Sequence, residues 1–324
     1  MRLAFLGVSH WHTHLYLDPA LQIKGTTVAG VSDPHSQTAQ NYAARLNCQW
    51  STDYRDLCDR VKPDFIFAFG RHCDMAEEAR FLIDARIPFA MEKPCGMNSR
   101  EVSDLAERAA ARGAFAAVPF VFRQSRLLTT IFERAKGEDI QYLSFRFIAG
   151  PISRYRKSGC EWMLDPVQSG GGCTVNLGVH FFDLFRVFMG TKPIQVKAAV
   201  MSNAAWNEEI EDYSLVILQS GPRTCLVETG YVYPGHPPTL NVHYSLRTDH
   251  HYFSVTGPNT LEVCDELQKR ETLNLPTTNT AYYGDFVQDV LVRVQQGQPP
   301  LADMTDMAAV MRLVDSAYAM AGRR

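Results

Sequence analysis

The sequence predicts a protein of α/β plus α+β class, with a doubly wound parallel sheet over residues 1–120 and an α/β domain over residues 121–324 built on a largely antiparallel sheet. Three observations predict it. The first third alternates short apolar runs with stretches of helical period, the order of strand and crossover helix. After about residue 120, strand-like stretches follow one another with turn residues between them, which suits antiparallel pairing. A length of 324 residues also suits two domains of roughly 100–200 residues each.

The strand candidates of the first part are Leu3–Leu6, Thr27–Val31, Asp64–Phe69, Pro88–Met91 and Phe115–Val118. They are apolar on both faces, as strands covered by helices on either side must be. Between them Met75, Ala79, Leu82 and Ile83 recur at i, i+4, i+7 and i+8 and mark one helical face. A further helix is expected from Asn98, with Glu101 three residues on in capping-box register. In the second part Tyr142–Ile148, Ile194–Met201, Tyr213–Gln219, Thr224–Tyr231 and Asn241–Val255 read as strands, punctuated by Gly-Pro and Pro-Gly-His-Pro-Pro. Two amphipathic helices close the chain, one on Phe286, Val290, Leu291 and Val294, the other on Val310, Leu313, Val314 and Ala317.

Composition excludes several classes. With 46% hydrophobic and 21% charged residues the chain can bury a substantial core. A net charge of −3 gives no electrostatic footprint for nucleic acid or an anionic membrane. No apolar run approaches the roughly 18 residues of a membrane helix. The apolar start is broken at Ser9-His10, too early for a signal peptide, and reads as a first strand. The eight cysteines contain no C-x-x-C pair and no zinc-like spacing, which suits reduced thiols and a cytoplasmic protein.

Leu3–Leu6 runs into Gly7-Val8-Ser9-His10-Trp11-His12 and then an expected helix. A dinucleotide-binding fold places its G-x-G-x-x-G loop there. Only the first glycine is kept, with Ser9 and His12 at the later positions. The next strand ends at Asp33, at the spacing of the acid that holds an adenosine ribose. A carboxylate there repels a 2′-phosphate, and Pro34 and His35 offer no cation to cradle one, so NAD is favoured over NADP. The competing reading is that Asp33-Pro34 only ends a strand and caps a helix. A rival for His10, His12 and His14 is a metal site of hydrolase type, with His72 and Asp74 as further ligands; the second half, however, does not read as the βα units such a barrel needs.

Lys93 follows the strand Pro88–Met91 and precedes Pro94, at the rim where open α/β sheets bind ligands. Its ammonium could polarise a hydroxyl or carbonyl, or it could be a surface lysine before a turn. Farther on, Ser169-Gly170-Gly171-Gly172 leads into a stretch in which Asn176, His180 and Asp183 fall at i, i+4 and i+7. A polar stripe on an otherwise apolar helix must find partners. It is either a structural network or a site, and the glycines, which permit close backbone approach, favour a site. His180 is then the natural proton-transfer residue.

Taken together, the glycine-led loop, the acid after the second strand, Glu92-Lys93-Pro94, and the run from Trp162 through Asp165-Pro166 and the glycines to Asn176-x-Gly-x-His180-x-x-Asp183 resemble the glucose–fructose oxidoreductase/inositol dehydrogenase/MocA family. The resemblance spans nearly the whole chain. It implies a Rossmann domain, an open-faced antiparallel sheet that forms homodimers or homotetramers, and a cis Lys93–Pro94 bond. It also implies hydride transfer between NAD and a secondary hydroxyl or carbonyl of a sugar, inositol or related polyol. Lys93, His180 and Asn176 would act at the reacting carbon. The cofactor would lie on Gly7, Ser9, His10, Trp11, His12, Asp33, Glu92 and Lys93, and Arg123, Trp162 and Asp165 would line the substrate pocket; Asp183 would orient its helix or His180. Three positions depart from the family pattern: the reduced glycine loop, Asn176 in place of aspartate, and Arg71-His72-Cys73-Asp74-Met75 in place of P-N-x-x-H. They leave open a non-catalytic dinucleotide or sugar sensor and a member that uses NAD transiently for elimination chemistry.

Overall fold

The computed structural model describes residues 1–235 and 240–323. The first sheet consists of β1 (Arg2–Leu6), β2 (Thr27–Ser32), β3 (Gln49–Ser51), β4 (Phe65–Ala68), β5 (Phe89–Met91) and β6 (Ala116–Ala117), in the order β3-β2-β1-β4-β5-β6. Every pairing in it is parallel. This is the doubly wound order of a dinucleotide-binding domain, with the strand order reversing between β1 and β4. Helices α1 (Thr13–Gln22), α2 (Ser36–Leu46), α3 (Tyr54–Val61), α4 (His72–Asp84) and α5 (Ser99–Arg112) make the crossovers. Expected and observed strands agree in place, except β3, a three-residue edge strand whose one apolar side chain, Trp50, is too little to show a strand pattern. Asn98 accepts the Glu101 amide at 3.0 Å. Glu101 reaches back one residue farther than a capping box requires, to the Met97 amide at 2.9 Å.

Helices α6 (Arg126–Arg134), α7 (Ser153–Lys157), α8 (Pro166–Ser169), α9 (Val179–Met189), α10 (Tyr283–Gln296) and α11 (Met304–Met320) accompany the second sheet. Its strands are β7 (Ile140–Ile148), β8 (Gln195–Ser202), β9 (Tyr213–Ser220), β10 (Arg223–Gly230), β11 (Asn241–Thr248), β12 (His251–Gly257), β13 (Thr260–Asp265) and β14 (Arg270–Asn274). They lie in the order β14-β13-β12-β11-β7-β10-β9-β8. Only the central β7–β10 pair is parallel.

The stretch 241–255, expected as one strand, is a hairpin. No glycine or proline marks its turn. Glu138 builds the turn instead, accepting from Thr248 Oγ1 at 2.5 Å, from the His250 amide at 2.9 Å and contacting His251 Nδ1 at 2.6 Å. Strands β13 and β14 escaped notice because Glu262, Glu271 and Arg270 interrupt their apolar pattern. In the Pro-Gly-His-Pro-Pro turn, residues 236–238 lie outside the described residues. All eight cysteines are free thiols, and no helix among the described residues is long and apolar enough to cross a membrane.

Candidate active site

The C-terminal ends of β1, β2 and β4 open onto a groove of about 470 Å³. Gly7, Gly70 and Gly159 leave its walls without side chains, while Asp53, Tyr54 and Trp162 stand along it. Gly7 is at φ +71°, and a Cβ there would lie 2.1 Å from the Phe69 carbonyl oxygen. Only glycine fits both constraints. The groove's size, its glycine walls and its place at the topological switch point fit a dinucleotide. The loop amides are engaged internally, however: Val8 donates to Ser32, His10 to the Gly7 carbonyl and His12 to His10 Nδ1. Asp33 is 0% exposed. Its carboxylate accepts the Ser9 amide at 2.6 Å and the His35 amide at 2.9 Å. It therefore fixes the loop against β2, and the residue at the N-cap of α2 is His35.

A buried cluster lies beneath the loop, centred on Glu92. Its Oε1 faces His12 Nδ1 at 2.8 Å and accepts from Tyr16 Oη at 2.7 Å and, at 3.5 Å, from Tyr283 Oη. Its Oε2 accepts the Lys93 amide at 3.0 Å. Burial alone would raise the Glu92 pKa, but His12, Lys93 and His10 hold it well below the usual carboxylate range. Burial pushes His10 and His12 down, while Glu92 opposes the shift at both; an ionised carboxylate can only accept, so Nδ1 is the nitrogen of His12 that donates to Glu92. His72 is lowered by burial to about 3, and its Nδ1 faces the Ser169 carbonyl at 2.6 Å. His14 is exposed and Asp74 pairs with Arg71, so the histidine triplet does not converge. Among the described residues no group of three or more His, Cys, Asp or Glu is placed to hold a metal ion.

Lys93 is 3% exposed and follows β5; its bond to Pro94 is cis. Its Nζ donates to the Asn176 carbonyl at 2.8 Å and to Asn176 Oδ1 at 2.5 Å. The other end of the amide donates to Tyr155 Oη and Tyr231 Oη, both at 2.8 Å. Asn176 sits in a single π-helical turn, Thr174–Gly178, that runs into α9. π-Turns inside helices often mark functional positions. His180, in the first turn of α9, is 3% exposed. Its Nδ1 is buried without a partner, and its Nε2 faces Asn279 Nδ2 at 3.5 Å. Burial, and then the Lys93 charge, lower it to about 3.

The remaining sequence-derived residues lie around this centre. Arg123 grips Asp183 with Nε at 2.9 Å and Nη2 at 2.6 Å and also pairs with Asp306. Asp183 therefore anchors α9 and leaves His180 Nδ1 unengaged. Asp165 caps α8 through the Val167 amide. Trp162 sets its ring edge-on to His72 at 5.0 Å, at the groove. The glycine run serves packing: a Cβ at Gly171 would lie 2.0 Å from Tyr318 Oη, and one at Gly172 2.0 Å from the Glu211 carbonyl oxygen. Glu211, Tyr155, Tyr231 and Asn279 were not foreseen, because each reaches the site from a separate element and none has a local motif.

Glu78 on α4 is a further unforeseen residue, on the groove wall. It is 6% exposed, and its Oε1 is buried without a partner. Burial, and then Asp74, push it up to about 8 from an ordinary 4.5. The folded protein thus holds this proton while the unfolded chain releases it. Stability falls as pH rises from about 4.5 towards about 8. Glu78→Gln, which cannot ionise, should lose that dependence and exceed the wild type in urea midpoint at pH 8.5. Equal midpoints there would refute the assignment.

Residues 1–120 match the family described as "Oxidoreductase family, NAD-binding Rossmann fold", and residues 145–248 match the GFO/IDH/MocA C-terminal domain. No curated protein matches the sequence closely enough to serve as a relative. Among solved structures, myo-inositol 2-dehydrogenase from Lactobacillus plantarum is 20% identical, with a TM-score of 0.82 over 99% of this chain and 97% of its own. GenD2 from gentamicin A biosynthesis, solved with NAD, is 18% identical, with a TM-score of 0.83 over 99% of this chain and 94% of its own. Levoglucosan dehydrogenase, solved with NADH and levoglucosan, is 14% identical, with a TM-score of 0.84 over 100% of this chain and 97% of its own. The chain belongs to the GFO/IDH/MocA oxidoreductase family, with that family's NAD-binding Rossmann domain at its N-terminus.

Proposed function

We propose that this protein is an NAD-dependent dehydrogenase that interconverts a secondary hydroxyl and a carbonyl on a sugar, inositol or related polyol. The observation that carries this reading is the buried, unpartnered Nδ1 of His180 beside the buried ammonium of Lys93. Bound NAD supplies the hydride acceptor. Lys93 offers the positive charge that favours alkoxide character on the reacting oxygen, and Asn176 holds that ammonium in place. His180 stays neutral at working pH, and Asn279 can face Nε2 with either end of its amide. Nδ1 is then available to take the hydroxyl proton, or to return it in the reverse direction. The enclosure excludes water from the transfer.

Titration with NADH and NADPH, followed by tryptophan fluorescence, tests the cofactor, since Trp162 lines the groove and Trp11 follows its lining residue His10 in the loop. Tighter binding of NADH is the expected result, because Asp53 puts negative charge on the groove wall near the end of β2, and neither Pro34 nor His35 beside it brings an arginine or lysine for a 2′-phosphate. A panel of sugars and polyols, read at the NADH absorbance, then tests turnover. Failure to bind either nucleotide would remove the dehydrogenase reading.

A further inference from the structure

Arg154, on α7, is a second cation in this enclosure. Its guanidinium carbon lies 4.8 Å from the Tyr155 ring centroid, 5.1 Å from that of Tyr231 and 5.4 Å from that of Trp11. Nη2 donates to Tyr155 Oη at 2.9 Å, and Nε is buried without an acceptor. Arg123, by comparison, is met by two aspartates, whereas no ion pair among the described residues involves Arg154. The same Tyr155 Oη accepts from Asn176, which holds Lys93. One tyrosine and one asparagine therefore join the two cations. Burial, and then the Arg154 charge, lower the pKa of Lys93, and Glu92, the carboxylate that opposes this, is already met by His12 and Tyr16. The enclosure thus carries excess positive charge.

An unpaired guanidinium is costly to bury, and here three aromatic rings hold it in a fixed plane. A planar guanidinium so held is suited to a carboxylate. We infer that Arg154 is the anion-binding residue of the substrate site, and that the substrate is an acidic sugar or polyol whose carboxylate pairs with Arg154 while its carbinol meets Lys93 and His180. This rests on the dehydrogenase reading above. The other anion within reach is the dinucleotide's own pyrophosphate, because Trp11 belongs to the glycine loop.

Calorimetric titration separates the two. NADH is titrated first into wild type, Arg154→Met and Arg154→Lys; methionine keeps an apolar stem between the rings. Each NADH complex is then titrated with D-glucuronate, D-galacturonate and D-gluconate, and with D-glucose, D-galactose and myo-inositol. The expected result is that wild type binds at least one acid more tightly than any neutral compound. Arg154→Met should weaken that acid about ten- to hundredfold, with Arg154→Lys in between and NADH affinity unchanged. Wild type that binds NADH but prefers neutral sugars, or binds no acid, overturns the inference alone. So does equal weakening of acid and neutral ligands in Arg154→Met. Loss of NADH affinity in that variant assigns Arg154 to the pyrophosphate and also overturns it. Wild type that binds no NADH removes the dehydrogenase reading and this inference together.

Discussion

Lys93→Ala will abolish nearly all turnover while leaving the nucleotide bound. The ammonium is buried against Asn176, and in the proposed mechanism it is the group that meets the charge developing on the substrate oxygen. Removing a transition-state donor of this kind costs about a hundredfold to a thousandfold in kcat. Asn176, left without its donor, can shift, so the loss should reach the upper end of that range. NADH affinity should stay within roughly twofold, the pattern of an interaction made only in the transition state. Near-normal kcat in Lys93→Ala would refute the role given to this residue.

Glu92→Ala should give the largest loss of stability. The carboxylate is met by His12, Tyr16, Tyr283 and the Lys93 amide, so its removal leaves buried donors unpaired beside a buried ammonium. Breaking a buried charge pair from one side costs about 3–5 kcal/mol, a fall in Tm on the order of 10 °C for a chain of this size. The pH dependence has a definite sign. Glu92 is held below its ordinary 4.5, so on acidification the unfolded chain takes up this proton first. The stabilisation is complete above about 4.5 and fades as pH falls below it. The gap in Tm between wild type and Glu92→Ala should therefore be full at pH 7 and narrow below pH 4.5. A gap that stays constant across that range would show that Glu92 contributes by packing rather than by charge.

The parallel sheet was legible because β1, β4 and β5 are apolar on both faces and separated by helical period. The register of Lys93 was legible because Glu92-Lys93-Pro94 stands at a strand end. The polar stripe Asn176, His180 and Asp183 was found, and of the two roles left open for Asp183, orienting its helix or orienting His180, its partner fits the first; that partner was not legible. Asp183 turned away to Arg123, which sits 60 residues earlier in the chain, and spacing within one helix says nothing about such a partner. Tyr155, Tyr231 and Asn279 each bring one polar atom from a different element, so the chemistry of the centre is fixed by tertiary contacts. Asp33 was placed correctly at the end of β2, yet the amides of Ser9 and His35 take its carboxylate. Glu78 could have been noticed as a charge within the apolar period of α4.

The close approach of Tyr318 and Glu211 to Gly171 and Gly172 bears on how a survey of random variants should be interpreted. Scored by activity alone, substitutions at these glycines and at His180 would fall in one intolerant class and invite a single catalytic label. Scored by the amount of folded protein in the cell, the class should divide: variants at Gly171 and Gly172 would be depleted, and variants at His180 would accumulate normally. Intolerance at the glycines is then a record of assembly, and only intolerance that survives correction for abundance marks the chemistry.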